Sequence, residues 1–162
     1  FTVGLPLAPP RSAATGDGGP AAPALGLPVF ASLEGLRVLV VDDDPDARQL
    51  VSAVLAQCQV EVRTAPGAAA GLVALAAWRP DVLISDIGMP DVDGYDFIRQ
   101  VRALTVECGG SVPAVALTAY AGAEDRVRAL AAGFQAHAPK PIEPAEIVAL
   151  VASLTGRLIA AV

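Results

Sequence analysis

The sequence has few of the residue types on which several classes of protein depend. Its 162 residues include two cysteines and one histidine, too few for a disulfide framework or a zinc site. The formal net charge is -6, so electrostatics disfavour binding to nucleic acid or to an anionic membrane surface. We expect Cys58 and Cys108 to be reduced thiols in a cytoplasmic protein, with a single bridge between them as the less favoured alternative.

Long hydrophobic runs are also missing, although 54% of the residues are hydrophobic. Uncharged runs such as 64–78 fall short of the roughly 18 residues that a membrane span needs, and proline and glycine interrupt them. The sequence therefore predicts no spanning helix and no direct contact with a membrane.

The first 34 residues differ in composition from the rest of the chain. Apolar residues alternate at the start of segment 1–8, which indicates a short strand. Segment 9–34 is rich in proline, glycine and alanine and predicts a flexible linker, because it buries too little apolar surface to offset its ordering entropy. Since residue 1 is not methionine, we expect the chain to be a fragment of a longer protein.

From residue 36 onward, apolar runs alternate with helical patterns. Arg37–Val41 is nearly all apolar and fits a strand buried on both faces. Asp44 and Pro45 then begin a helix, as its N-cap and first-turn proline. Further strands are predicted at 60–64, 81–86, 112–118 and 135–138, and further helices at 67–78, 94–104, 123–132 and 144–158. Five strands alternating with five helices predict a doubly wound α/β fold with a parallel sheet.

Polar residues follow the predicted strands at their carboxyl ends. Asp42 and Asp43 end the first strand, Asp86 the third and Thr118 the fourth, and Lys140 follows the fifth. Open parallel sheets bind ligands at this edge. The fold is therefore expected to gather these five residues in one cleft.

Three carboxylates in one cleft repel each other unless a cation is present. Mg²⁺ binds oxygen ligands, and the sequence predicts a site formed by Asp42, Asp43, Asp86 and a backbone carbonyl near Gly88. By themselves, the aspartates at 42–44 favour a simpler interpretation, an acidic helix start that complements the helix dipole. The presence of Asp86 and of Lys140, the single lysine of the chain, favours the metal site.

The chemistry that fits this set is phosphorylation of a carboxylate. An aspartate can act as a nucleophile and form an aspartyl phosphate, which makes Asp86 the candidate acceptor. The ammonium of Lys140 can pair with a carboxylate and then with an added phosphoryl oxygen. The hydroxyl of Thr118 can donate to another phosphoryl oxygen, and Mg²⁺ would spread the charge of a loose transition state.

Four stretches of the sequence resemble the motifs of one known family. They are Leu39–Asp44 (LVVDDD), Ser85–Gly94 (SDIGMPDVDG), Leu117–Ala119 (LTA) and Lys140–Pro141 (KP). Their order and spacing are similar to the receiver domain of two-component response regulators, over residues 35–158. The resemblance implies a flavodoxin-like fold with strand order 2-1-3-4-5. It also implies Mg²⁺-dependent phosphoryl transfer from phosphohistidine to the acceptor, followed by conformational switching and autodephosphorylation.

The resemblance implies a role for each matching residue. Asp43 would bind Mg²⁺ directly, Asp42 largely through water, and Gly88 through its carbonyl. Thr118 and Lys140 would contact the phosphoryl group. The bond between residues 140 and 141 would be a cis peptide.

Three features depart from the family pattern. The family usually has Phe or Tyr where this chain has His137, a ring that turns inward together with Thr118 on activation, so the switching role of His137 is left open. Pro139 removes a donor from the fifth strand and predicts an irregular strand there. Gly88 and Tyr120 occupy the two positions that tune dephosphorylation, which leaves the lifetime of the phosphoryl group open.

The same resemblance suggests partners and a parent protein. The phosphoryl donor would be the phosphohistidine domain of a histidine kinase, in cis or in trans, with a histidine phosphotransfer protein as a further candidate partner. Helix four, strand five and helix five would form the partner-binding face, and homodimerisation through that face is left open. Segment 1–8 is similar to the last strand of a histidine-kinase ATP-binding domain. We therefore expect a hybrid histidine kinase as the parent, with 159–162 as a tail.

Two other functions compete with this interpretation. A pseudo-receiver would bind partners without accepting a phosphoryl group. All four motif positions are intact in this sequence, which argues against that alternative. An aspartyl-nucleophile phosphohydrolase would need a cap domain and a second acidic pair late in the sequence, which are not visible here. The domain itself would catalyse only its own phosphorylation.

Overall fold

A computed structural model describes residues 33–120 and 122–157. Within these residues, five strands β1 to β5 cover Arg37–Val41, Glu61–Ala65, Val82–Asp86, Ala114–Thr118 and Ala136–Pro139. Five α-helices α1 to α5 cover Pro45–Ala56, Ala68–Trp78, Gly94–Arg102, Ala123–Ala132 and Pro144–Leu154, and a short 3₁₀ helix covers Val106–Cys108. The predicted strand at 1–8 and nearly all of the predicted linker lie outside the described residues.

The strands form one parallel sheet in the order β2-β1-β3-β4-β5. This arrangement confirms the predicted fold class and the predicted strand order. The pairing register places Val41 of β1 beside Ser85 of β3, and Asp86 beside Leu117 of β4. The carboxyl ends of the three central strands therefore meet at one edge of the sheet.

Helices cover both faces of the sheet, and each face has its own apolar core. Val38 and Val40 of β1 point to the core beneath α1 and α5, while Leu39 and Val41 point to the core beneath α2, α3 and α4. Because both faces are buried, the central strands can be apolar throughout, which is how they were predicted. Leu33, in the range predicted as linker, is only 2% exposed and belongs to the first of these cores.

Capping residues set several helix ends, and the predicted N-cap at Asp44 is confirmed. The Asp44 side chain accepts a hydrogen bond of 3.0 Å from the Asp46 backbone at the start of α1. Asp93 caps α3 in the same way, accepting from the backbone N–H of Asp96 at 2.9 Å. Gly133 ends α4 with a positive φ of 132°, where a residue without a Cβ is favoured.

Two helices are shorter than predicted. Helix α3 ends at Arg102, and the chain then forms the 3₁₀ helix and a tight turn that the sequence analysis missed. The turn requires Gly110, since a Cβ there would lie 2.1 Å from the Leu104 carbonyl oxygen. Helix α5 ends at Leu154, where the hydroxyl of Thr155 donates a 2.8 Å hydrogen bond back to Val151.

Strand β5 lies at the edge of the sheet and continues through Pro139, which pairs with Thr118. An edge strand tolerates a proline because one side of its backbone needs no partner strand. Among the residues that the structure describes, no helix combines the length and apolar character needed to cross a membrane.

Candidate functional site

The three aspartates predicted to form a metal site lie together at the carboxyl edge of the sheet. Asp42 and Asp43 follow β1, and Asp86 is the last residue of the neighbouring strand β3. One carboxylate oxygen from each lies within 4.8 Å of the other two. Asp42 and Asp86 are only 1% and 5% exposed, whereas Asp43 faces solvent. The cluster is therefore an acidic cleft that is open on one side.

Lys140 reaches into this cleft from the loop that follows β5. Its Nζ lies 2.8 Å from Asp42 Oδ2 and 3.1 Å from Asp86 Oδ1. The backbone N–H of Lys140 donates to the Thr118 carbonyl at 2.7 Å, which anchors the loop to β4. The peptide bond between Lys140 and Pro141 is cis, as the family resemblance implied. A single ammonium thus bridges two buried carboxylates that are 44 residues apart in sequence.

The electrostatics of the cleft make Asp86 unusual. Burial raises the pKa of Asp86 above its ordinary value, and the charge of Asp42 raises it further. The ammonium of Lys140 and the backbone of Gly88 offset part of this effect. Burial would lower the pKa of Lys140, but its hydrogen bonds to Asp42 and Asp86 outweigh burial and raise that pKa. The cleft therefore holds a protonated lysine and an excess of negative charge.

The donor set of the cleft fits Mg²⁺. All its side-chain ligand atoms are carboxylate oxygens, and Mg²⁺ takes one or two carboxylates while it keeps several waters. Asp43 supplies an exposed carboxylate, and Asp42 and Asp86 supply buried ones. Gly88 leaves its side of the cleft open, since even a Cβ built there would lie 3.8 Å from Asp86 Oδ2.

Thr118 and His137, the two residues predicted to switch, lie on the neighbouring strands β4 and β5. Thr118 ends β4 and is buried, and its hydroxyl accepts a 3.1 Å hydrogen bond from the backbone N–H of Tyr120. His137 lies on β5 and pairs in register with Ala116 of β4. Its buried Nε2 has no hydrogen-bond partner among the described residues. Thr118 therefore lies on the strand next to β3, whereas His137 lies one strand further out, and no hydrogen bond joins the two within the described part of the chain.

A second cation, which was not predicted from the sequence, lies near the cleft. Arg48, in the first turn of α1, donates from Nη1 to the carbonyl oxygen of Asp42 at 2.6 Å. A signal was available, because Arg48 follows Asp44 by four residues and helical periodicity returns it toward the start of the helix.

A groove of about 400 Å³ adjoins Lys140 between α1 and the loop after β5. Leu50 lines this groove and is 51% exposed, although the helical spacing of the apolar residues at 50, 51, 54 and 55 indicates a buried stripe on α1. Pro141 and Ile142 line the opposite side. The acidic cleft therefore borders an apolar surface.

The fold and the site together define a doubly wound α/β domain that carries an acidic cleft and one lysine at the carboxyl edge of its sheet. The family model described as response regulator receiver domain matches residues 38–152. The chain belongs to this family, which makes it a receiver domain of two-component signalling.

Individual relatives agree with this assignment. An uncharacterized 14.6 kDa protein of Leptolyngbya boryana is 43% identical over an alignment that covers 74% of this chain and 90% of that protein. The transcriptional regulatory protein PrrA of Mycobacterium tuberculosis is 38% identical, with 75% of this chain and 50% of that protein covered. The chain thus spans about half the length of the mycobacterial regulators that it matches.

Solved structures show the same fold. The chemotaxis response regulator CheY4 of Vibrio cholerae superposes with a TM-score of 0.68 at 30% identity, covering 74% of this chain and 98% of that one. A CheY-like receiver domain protein from Methanospirillum hungatei gives 0.67 at 26% identity, covering 75% and 95%.

Proposed function

We propose that Asp86 is the phosphoryl acceptor of this receiver domain and that Mg²⁺, held by Asp42, Asp43, Asp86 and the Gly88 carbonyl, is required for the transfer. The observation that carries the proposal is the position of Lys140, whose ammonium contacts the Asp86 carboxylate at 3.1 Å. A cation beside the acceptor can pair with the oxygens of an incoming phosphoryl group.

The phosphoryl transfer is a single displacement at phosphorus. A carboxylate oxygen of Asp86 attacks the phosphorus of a phosphohistidine, the new P–O bond forms as the P–N bond breaks, and the donor imidazole leaves. When bound to Asp42, Asp43 and Asp86, Mg²⁺ would neutralise charge on the phosphoryl oxygens. Lys140 remains protonated and moves its hydrogen bond from Asp86 to a phosphoryl oxygen. The Thr118 hydroxyl, whose oxygen accepts from the Tyr120 backbone N–H, donates a hydrogen bond to a phosphoryl oxygen as its side chain moves toward that group.

Switching would follow from these exchanges. When Thr118 releases the Tyr120 backbone, the start of the loop that leads to α4 is freed. His137 lies on the neighbouring strand with a buried nitrogen that lacks a partner among the described residues, and we propose that its ring responds to the new position of Thr118. Water would later hydrolyse the acyl phosphate and reset the domain.

Receiver domains interact with histidine kinases or with phosphotransfer proteins, and we propose a phosphohistidine domain of such a protein as the donor. We place the domain in the cytoplasm, in keeping with its two cysteines, neither of them in a disulfide. The similarity of segment 1–8 to a kinase strand supports a hybrid histidine kinase as the parent protein.

The experiment that tests the proposal is incubation with Mg²⁺ and a small acyl phosphate, followed by mass spectrometry of the intact chain. We expect one added phosphoryl group in the unmodified protein and none in Asp86→Asn. The matched control is Asp91→Asn, which changes an exposed aspartate of the following loop whose positive φ of 69° also suits asparagine.

Equal modification of Asp86→Asn and the unmodified protein would refute the assignment of the acceptor. No modification of the unmodified protein with Mg²⁺ would favour a pseudo-receiver. Continuous turnover of small phosphate esters would favour a phosphohydrolase.

A further inference from the structure

The peptide unit between Asp42 and Asp43 joins two of the three carboxylates in the cleft. Its carbonyl oxygen, on Asp42, accepts the 2.6 Å hydrogen bond from Arg48 Nη1. The backbone of Arg48 is fixed in the first turn of α1, where its N–H donates to the Asp44 carbonyl at 3.1 Å. The guanidinium therefore ties the turn after β1 to the helix that follows it.

Asp42 is held at every polar group. Its backbone N–H donates to the Ala65 carbonyl at 3.1 Å, which links the turn to β2. Its Oδ1 accepts from the backbone N–H of Asp44 at 2.9 Å, and its Oδ2 accepts from Lys140. The bond from Arg48 completes this set. By contrast, the Asp43 carboxylate is exposed, so the backbone of the turn is what directs it.

We propose that Arg48 is a positioning residue for the divalent cation. It fixes the plane of the 42–43 peptide and thereby aims the carboxylates of Asp42 and Asp43 at the same point. The inference rests on the proposed function, since it takes Mg²⁺ as the cation. Replacing a residue that hydrogen-bonds to a metal ligand and orients it commonly lowers metal affinity by about 10-fold to 100-fold.

Charge alone predicts the opposite effect. Arg48 is a cation near a site for another cation, so removing its charge should strengthen Mg²⁺ binding through reduced repulsion. If Arg48 acts by holding the turn, its removal should weaken binding, because the carboxylates then spend less time in the required arrangement. The sign of the change in affinity therefore separates the two effects.

The test is calorimetric titration of the whole chain with Mg²⁺ alone, without any phosphoryl donor. Arg48→Met keeps the length of the stem but removes the donor and the charge, and we expect its Kd to rise about tenfold. Arg48→Lys keeps the charge but loses the planar fork, and we expect an intermediate Kd. The matched control is Arg99→Met, which removes the same charge from an exposed ion pair with Asp96 and should leave the Kd unchanged.

A second measurement uses phosphorylation by the acyl phosphate at increasing Mg²⁺ concentration. In Arg48→Met the Mg²⁺ concentration at half-maximal rate should rise about tenfold, while the rate at saturating Mg²⁺ stays close to that of the unmodified protein. A general loss of folding would lower both the maximal rate and the fraction of active protein instead.

The outcomes distinguish this inference from the proposed function. If the unmodified protein does not bind Mg²⁺, the proposed metal site itself is wrong. If the unmodified protein binds Mg²⁺ and Arg48→Met binds it equally well or more tightly, only the role of Arg48 is wrong. Should Arg48→Met fail to fold, Arg48→Lys decides, because an unchanged Kd in that variant overturns the inference and a raised Kd supports it.

Discussion

The two ends of the parallel sheet use buried charge in different ways. At the amino end, Arg102 is surrounded by fixed neutral acceptors. At the carboxyl end, Asp42, Asp43 and Asp86 lie around a single ammonium, that of Lys140. Charge at the amino end is satisfied by the fold, whereas charge at the carboxyl end is left unbalanced.

The Arg102 contacts join three separate segments of chain. Nε and Nη2 donate to the Gly133 carbonyl at 3.0 and 2.8 Å, and Nη1 donates to the Gly110 carbonyl at 2.9 Å. Nη2 also donates to the side-chain oxygen of Gln135 at 2.9 Å, and that oxygen accepts from the Ala114 backbone as well. A partly buried charge with this many partners stabilises one arrangement of the loops around it.

The carboxyl end lacks such balance. Burial raises the pKa of Asp86 because no complete set of partners stabilises its charge. Lys140 is shared between Asp42 and Asp86 and cannot neutralise both. In the proposed function, the cation and the phosphoryl group would balance the charge that this end of the fold leaves unpaired.

The largest effect that would test this comparison is the loss of the Arg102 contacts. We expect Arg102→Met to lower the free energy of unfolding by about 2–4 kcal/mol, since it leaves the carbonyls of Gly110 and Gly133 without their charged donor. The measurement is urea unfolding followed by circular dichroism, with Arg99→Met as the control.

Phosphorylation of the folded fraction of Arg102→Met should nevertheless proceed at the rate of the unmodified protein. If the variant were as stable as the Arg99→Met control, the amino end would not have the stabilising role that we assign to it. If it were stable but could not be phosphorylated, the two ends would be coupled.

The next effect concerns stability at the carboxyl end without Mg²⁺. Because the pKa of Asp86 is raised in the folded state, its contribution to stability is fully present below its unfolded pKa and is lost as the pH rises through its folded pKa. Asp86→Asn lacks this titration. At neutral pH we therefore expect Asp86→Asn to have a higher melting temperature than the unmodified protein.

This difference should shrink as the pH falls below the ordinary aspartate value of about 4. Added Mg²⁺ should stabilise the unmodified protein more than the variant, because a ligand that binds the folded state raises its stability. Thermal unfolding from neutral to acidic pH checks both expectations. A variant that is less stable than the unmodified protein at neutral pH would show that Lys140 balances the charge of Asp86.

The composition of the cleft could be predicted from sequence, whereas the contacts at the amino end could not. Each side chain of the cleft lies at the carboxyl end of a strand, namely Asp42, Asp86, Thr118 and Lys140. A parallel sheet brings these strand ends together whatever the conformation of the loops. The acceptors of Arg102, by contrast, lie in turns whose geometry leaves no periodic signal. The 3₁₀ helix after α3 was missed for the same reason.

The early end of α5 had no clear signal either, because residues 155–158 are compatible with either a helix or a turn. Exposure of Leu50 could not be predicted from the apolar stripe of α1, since the stripe is wider than the contact with the sheet. Helical periodicity indicates that Arg48 lies near the start of α1. Its hydrogen bond to the Asp42 carbonyl could not be predicted, because a backbone acceptor leaves no signal in the sequence.

A smaller effect is expected at Trp78, the single tryptophan of the chain, which also lies at the amino end. The Arg63 guanidinium stacks 4.7 Å from its ring centre, and Arg37 lies 5.8 Å away and donates to the Trp78 carbonyl at 2.8 Å. We expect Arg63→Ala to lower stability by about 0.5–1 kcal/mol through the lost cation–π contact.

Fluorescence of Trp78 also reports on whether the two ends are separate. Titration of the unmodified protein with Mg²⁺ should leave the emission of Trp78 unchanged, because the cation would bind at the opposite edge of the sheet. Emission that follows Mg²⁺ saturation would show that binding at the carboxyl end changes the packing at the amino end.

The smallest expected effect comes from blocking the two thiols, both of which lie at the amino end. Cys108 is exposed, whereas Cys58 is partly buried and burial raises the pKa of its thiol, so less of the reactive thiolate is present. Alkylation of the native protein should therefore occur in two phases, with Cys108 reacting first and Cys58→Ala removing the slower phase.

After both thiols have reacted, phosphorylation of Asp86 should be unchanged within error, as measured by intact mass. An impaired reaction after the fast phase alone would mean that the loop holding Cys108 affects the acidic cleft. The amino end would then influence the reaction as well as stabilise the fold. The two ends of the sheet would not be independent, even at Cys108, where the described part of the chain shows no contact with the acidic cleft.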